Sequence, residues 1–166
     1  MNKETKNQLG SWFLGEFEYT VDNQRRLAIP SQWRGETTEE NHFFVLPGRE
    51  KSLQLVPAET FQELLQKLRK ISFADRQAAV AMATIGSMAQ ECQCDRQGRI
   101  TLSKKLMEHA QLEKRVLLIG AVASAQIWKP EAWEEKQIDS EAGLDVIQQI
   151  QEKGDDLGDI LHNSLG

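Results

Sequence analysis

The sequence predicts a mainly β domain with flanking helices, an α+β fold assembled from one supersecondary unit used twice. Two observations carry that prediction. Asp22-Asn23-Gln24-Arg25-Arg26-Leu27-Ala28-Ile29-Pro30 returns 73 residues later as Asp95-Arg96-Gln97-Gly98-Arg99-Ile100-Thr101-Leu102-Ser103, and each copy reads D-x-x-x-R before alternating apolar residues. The echo continues further on, where Gln54-Leu55-Val56-Pro57-Ala58-Glu59-Thr60-Phe61 is answered at an offset of 72 by Gln126-Ile127-Trp128-Lys129-Pro130-Glu131-Ala132-Trp133. Two copies of so long a period argue for one pseudo-symmetric domain, not an open solenoid.

The elements follow in order. Residues 1–12 read as a loose N-terminal arm. Phe17, Tyr19 and Val21 alternate with Glu18 and Thr20, the period of a half-buried strand. Asp22-Asn23 signals a turn, and Leu27 and Ile29 resume the alternation up to Pro30. Phe43-Phe44-Val45-Leu46 and Ser52–Val56 are two further short strands. Pro57 suits the first turn of a helix that carries Phe61, Leu64, Leu65 and Leu68 at helical spacing. Ala74–Ala89 is rich in alanine and methionine and reads as a helical connector. The second unit repeats the scheme: strand Glu91–Cys94, turn Asp95–Gly98, strand Arg99–Leu102, helix Lys104–Ala110, strands Val116–Ile119 and Ala125–Trp128, and a helix opened by Pro130. The predicted segments are therefore the arm (1–12), a first repeat (13–72), a connector (73–88), a second repeat (89–136) and an acidic amphipathic tail (137–166). In that tail Gly154 and Gly158 interrupt apolar residues at helical intervals.

Composition narrows the function classes. The chain has no long apolar run, which predicts no membrane span, and the polar start Met1-Asn2-Lys3-Glu4-Thr5-Lys6 predicts no secretion signal. The only cysteines, Cys92 and Cys94, offer no disulfide framework and fit a reducing, cytoplasmic setting. His42, His109 and His162 are not spaced to complete a metal set, so Cys92 and Cys94 read as half-buried strand thiols with no metal. No nucleophile elbow, phosphate-cradling glycine loop or H-E-x-x-H motif is present, which predicts no enzyme, no cofactor and no small-molecule substrate. Net charge is −5, yet residues 137–166 set seven acids against Lys153 and carry −6, leaving the body near +1. Binding to a polyanion would then rest on local clusters multiplied by symmetry.

The two D-x-x-x-R turns, with Phe13-Leu14-Gly15-Glu16-Phe17 before the first and Val116-Leu117-Leu118-Ile119-Gly120 and Ile127-Trp128-x-x-Glu131-x-Trp133 after the second, resemble the MraZ family of bacterial regulators. The resemblance spans roughly Phe13 to Glu135. It implies an AbrB-like double-split β pseudo-barrel from two tandem repeats in one chain, a relative of the swapped-hairpin fold. It also implies a ring-shaped homo-oligomer larger than a dimer, located in the cytoplasm at the nucleoid. Such a ring would bind double-stranded DNA at repeated promoter elements of the division and cell-wall gene cluster. Arg26 and Arg99 inherit the DNA-contacting role. This chain departs from the family pattern at Arg25, where glycine is favoured, at Ser103, where proline is frequent, and at the alanine-rich stretch Arg76–Met88, basic in relatives.

Physically, an aspartate in a turn accepts backbone N–H bonds, and an arginine extends a forked donor suited to phosphate or guanine. Two readings follow. In one, Asp22–Arg26 and Asp95–Arg99 are internal ion pairs that pin the turns. In the other, which the resemblance favours, Asp22, Asp95 and Gly98 shape the loops while Arg26 and Arg99 contact DNA, with Arg25, Arg34, Arg96, Lys104 and Lys105 enlarging the basic patch. Glycine at 98 relieves a left-handed turn residue and Arg25 lacks that relief. Trp33, Trp128 and Trp133 read as core or subunit packing, and Trp12, Phe13 and Trp133 fall near expected edges of the fold. The runner-up function is a ring-forming structural or interaction module that has lost DNA binding; an antitoxin-like role is more remote.

Overall fold

The computed structural model describes residues 12–37, 39–71 and 74–164, with side chains as far as Lys153. The arm at 1–12 lies outside the described residues apart from Trp12. Chain order is β1 (Glu16–Thr20), β2 (Arg26–Ala28), β3 (His42–Pro47), β4 (Leu53–Pro57), α1 (Ala58–Leu68) and α2 (Arg76–Met88). It continues with β5 (Gln90–Gln93), β6 (Arg99–Thr101), α3 (Lys104–His109), β7 (Arg115–Gly120), β8 (Ala125–Trp128), α4 (Pro130–Lys136) and α5 (Ser140–Ser164). The protein is mainly β with flanking helices, in two repeats.

The strands form a six-stranded sheet in the order β1-β7-β8-β4-β3-β5 and a separate two-stranded ribbon, β2-β6. All pairs are antiparallel. Among the described residues no ladder joins the ribbon to the sheet as a closed barrel. Exchanging the repeats reverses the sheet order onto itself. Registers obey the same exchange: Phe17↔Leu118 on one side is matched by Val45↔Gln90 on the other. The central pairs, Gln54↔Gln126 in the sheet and Leu27↔Ile100 in the ribbon, join repeat mates and so mark the pseudo-two-fold axis.

Two local expectations need revision. The strand–turn–strand unit does not close on itself as a hairpin. After the Asp22 N–H bond to the Arg26 carbonyl (3.1 Å), β2 takes its ladder from β6 of the other repeat and β1 pairs with β7. Each repeat thus completes the other's sheet. Pro57 ends β4 and stands just before α1, where its missing N–H costs nothing.

The core lies between ribbon and sheet. Leu27 and Ile100 point in from the ribbon, and Val45, Leu53, Leu55, Val116, Leu118 and Ile127 meet them in one buried cluster. Burying each such side chain is worth about 1.5–3 kcal/mol. Phe13 belongs to this core and is fully buried, correcting its expected edge position. Its backbone bridges to Val122, and its ring meets Trp33 edge-on with centroids 5.4 Å apart. On the opposite side of the sheet Phe61 of α1 stacks on Phe44 at 3.9 Å, and the repeat-related Trp133 of α4 packs on Trp128 at 5.5 Å. These tryptophans are packing residues.

Residues 134–166 form a second compact unit. Here α5 runs without a break through Gly154 and Gly158, so glycine does not interrupt it. Leu144, Ile147 and Ile150 of this helix are exposed. Among the described residues no helix is long and apolar enough to cross a membrane.

Candidate nucleic-acid interface

A two-stranded ribbon has one inward and one outward face, because side chains alternate. With Leu27 and Ile100 turned into the core, the register Arg26↔Thr101 and Ala28↔Arg99 puts Arg26, Ala28, Arg99 and Thr101 on the other face. The two D-x-x-x-R arginines, far apart in sequence, thereby share one surface.

Each turn is built by its aspartate. Oδ1 of Asp22 accepts the N–H groups of Gln24 and Arg26, both at 2.9 Å, and Oδ1 of Asp95 accepts those of Gln97 and Arg99, both at 2.9 Å. The second carboxylate oxygen takes the arginine side chain. Nε of Arg26 reaches Oδ2 of Asp22 at 2.6 Å, and Nε and Nη2 of Arg99 reach Oδ2 of Asp95 at 2.9 Å. Nη1 of Arg99 also lies 4.0 Å from Oδ2 of Asp22, so the two turns touch electrostatically across the axis. Both carboxyls are held below the usual aspartate value. The largest cause is the backbone N–H of the arginine; desolvation opposes it, and the guanidinium bond and the second backbone N–H add to the lowering. The internal ion pairs are therefore real, while about a third of the Arg26 side chain and a quarter of that of Arg99 stay open to solvent.

The turns differ at their fourth residue. Gly98 has φ +77° and Arg25 adopts the same left-handed region at φ +59° despite its Cβ. Nε of Arg25 donates to the Leu102 carbonyl at 2.9 Å, and Nε of Arg34 donates to the Ile29 carbonyl at 2.9 Å. Arg96 is exposed in the second turn, and Lys104 and Lys105 are exposed just after β6, at the end of the ribbon where Leu102 bonds the Arg25 carbonyl of the first turn. Ser103, where the first repeat has Pro30, caps α3 by accepting the Leu106 N–H at 3.2 Å. One positioning residue escaped the sequence reading. Gln90 donates from Nε2 to the Thr101 carbonyl (2.7 Å) and accepts the Ser103 N–H on Oε1 (2.9 Å), tying β6 to the sheet. Its repeat mate is Phe17, so the periodicity carried no signal for it.

Cys92 and Cys94 are buried, not half-buried, with both thiols free. Burial is the main reason their pKa values are pushed up, to about 12 and about 11 respectively.

The profile of the family described as "MraZ protein, putative antitoxin-like" matches residues 12–82 and again 85–151. The chain belongs to the MraZ family. A relative named Transcriptional regulator MraZ from Moorella thermoacetica is 37% identical over 123 residues, covering 74% of this chain and 85% of the relative. Those of the same name from Alkaliphilus metalliredigens and Clostridium tetani are 33% and 34% identical over 135 and 146 residues. They cover 81% and 88% of this chain, and 93% and 99% of the relatives. The two MraZ matches meet within α2, the helix that joins the first repeat to β5 of the second.

Proposed function

We propose that this MraZ-family chain is a sequence-specific DNA-binding transcriptional regulator acting on repeated promoter elements of the division and cell-wall gene cluster, and has no enzymatic role. The observation that carries the reading is the shared outward face of the β2–β6 ribbon, which presents Arg26 and Arg99 together. A two-stranded ribbon fits the major groove, and a guanidinium fork suits guanine or phosphate. Asp22 and Asp95 orient the forks through Nε, while Arg25, Arg34, Arg96, Lys104 and Lys105 supply surrounding positive charge. The two repeats, taken as 13–72 and 89–136 joined by 73–88, act as one reading unit in the cytoplasm at the nucleoid.

One protomer offers few phosphate contacts, too few for strong binding at cellular salt. A ring-shaped homo-oligomer larger than a dimer overcomes this by presenting several copies to repeated sites. Its support lies in exposed apolar side chains: Leu64 of α1, Val80 and Ile85 of α2, and the Trp12, Leu14 and Val122 group around the Phe13 bridge. Neither α1 nor α2 has a buried residue within the protomer.

The ion pairs that occupy both arginines favour a second reading, a ring-forming interaction module without DNA binding. The deciding experiment is binding to duplex DNA from upstream of the protein's own gene, titrated with salt, beside light scattering at micromolar concentration. Salt-dependent, sequence-selective binding by a species larger than a dimer supports regulation. An intact oligomer that ignores DNA at low salt supports the module, and a monomer defeats the ring.

A further inference from the structure

We propose that Arg34 is a positioning residue for the second D-x-x-x-R turn, standing in for the arginine which that turn lacks. Ile29 and Leu102 are repeat mates, and each ends a ribbon strand with a bond from its N–H across the axis, to the Gly98 and Arg25 carbonyls respectively, both at 2.9 Å. Their own carbonyls are each closed by a guanidinium Nε at 2.9 Å. For Leu102 the donor is Arg25, and for Ile29 it is Arg34. Yet Arg25 and Arg34 are not repeat mates. Arg25 corresponds to Gly98, and Arg34 corresponds to Met107, a neutral side chain packed on the core.

The space at Gly98 explains the exchange. A Cβ there would meet Cζ and Nη1 of Arg34 at 2.5 Å and its Nε at 2.8 Å. The guanidinium from position 34 therefore lies where a side chain at 98 would begin. It does at Ile29 what Arg25 does at Leu102. Arg34 is set for this by a single 3₁₀ turn, Ser31–Trp33, whose Ser31 carbonyl accepts the Arg34 N–H at 3.2 Å and whose Trp33 is anchored in the core. Two unlike sequence positions thus restore one cation to each side of the axis, Arg25 beside Arg26 and Arg34 beside Arg99. The consequence for DNA rests on the regulator reading above: the ribbon offers a duplex a nearly two-fold charge pattern although its two turns differ in sequence.

Relocating the arginine tests this. Arg34→Ala, Gly98→Arg and the double variant are compared with the native protein by thermal unfolding at one fixed concentration, since an oligomer's midpoint depends on concentration. Each single variant should melt lower, one for want of the Ile29 bond and the other because two guanidiniums compete for one site. The double variant should regain the native midpoint; a midpoint no higher than the two single losses added together overturns the proposal. As a milder second pair, Gly98→Ala should lower the midpoint less in the Arg34→Ala background than in the native one, because only the backbone strain at φ +77° remains. Equal losses overturn the contact. Binding to the upstream duplex is measured in parallel. Arg34→Ala should reduce the salt slope by about 1 and the double variant should restore it. Recovery of the midpoint without recovery of the slope overturns the DNA role of Arg34. A native protein that binds no duplex defeats the regulator reading, and the unfolding series still decides the positioning.

Discussion

Leu27 and Ile100 lie opposite one another at the centre of the ribbon, on the axis that relates the two repeats, and both are inaccessible to solvent or nearly so. This pair is where each repeat holds the other. Leu27→Ala and Ile100→Ala should each destabilise the fold by about 2–5 kcal/mol, the usual cost of a cavity in a packed core. Their shared environment makes the two losses similar and the double variant non-additive. Denaturant midpoints of the three variants check this; a loss confined to one of them would mean that the repeats are not mechanically equivalent.

Arg26→Ala and Arg99→Ala should weaken DNA binding. If they read guanine, discrimination falls by about 1–3 kcal/mol per contact, and if they touch phosphate, the salt slope shrinks. Because each also removes the guanidinium bond to its own aspartate, a modest loss of stability is expected as well. Unchanged DNA binding with a lowered melting temperature would assign both arginines to the turns alone.

The depressed pKa values of Asp22 and Asp95 make the turns acid-sensitive in one direction. A carboxyl held lower in the folded than in the unfolded chain adds stability above its unfolded value, and that stability disappears as pH falls through its folded value. Stability measured from about pH 6 to about pH 2.5 should fall at the acid end. The Asp22→Asn/Asp95→Asn variant, already lacking this contribution, should converge on the native protein there. A gap that widens with acid would contradict the linkage.

The acidic tail should oppose DNA binding. Residues 137–166 carry −6, and repulsion from phosphate, or competition for Arg26 and Arg99, acts the same way. Truncation after Lys136 should tighten binding at low salt, with the gain fading as screening rises. Equal affinity at every salt concentration would leave the tail without a regulatory role.

Much of the candidate site is legible in the sequence alone. Turn chemistry is local: an aspartate bonding the N–H groups two and four residues on needs only that short stretch, so both turns could be read directly. The pairing of Asp22 with Arg26 was equally local, and was one of the two readings the pattern allowed. Burial of Phe13 was not legible, because a single apolar residue beside a strand carries no periodic signal, and the alternation that puts Cys92 and Cys94 on one face does not say how deeply that face is covered. Arg34 was legible as a basic residue, but the positioning roles of Gln90 and Arg34 were not, since their repeat mates Phe17 and Met107 carry no matching polar group.

The sequence by itself determined the repeated unit, the strand and helix succession and the residues that build each turn. All of these depend on spacing within a dozen residues, where sterics and side-chain alternation act directly. Only the tertiary structure decided that β2 pairs with β6 and β1 with β7, and so that Arg26 and Arg99 share one face. Strand partners are chosen by which apolar faces can be buried together across the whole chain, and a periodicity of two says which face is apolar without naming its partner. The seat of Arg34 over Gly98 belongs to the same class. It needed the chain just after β2 to be brought against the second turn, where Ile29 bonds the Gly98 carbonyl, before the space left by a missing side chain could be filled.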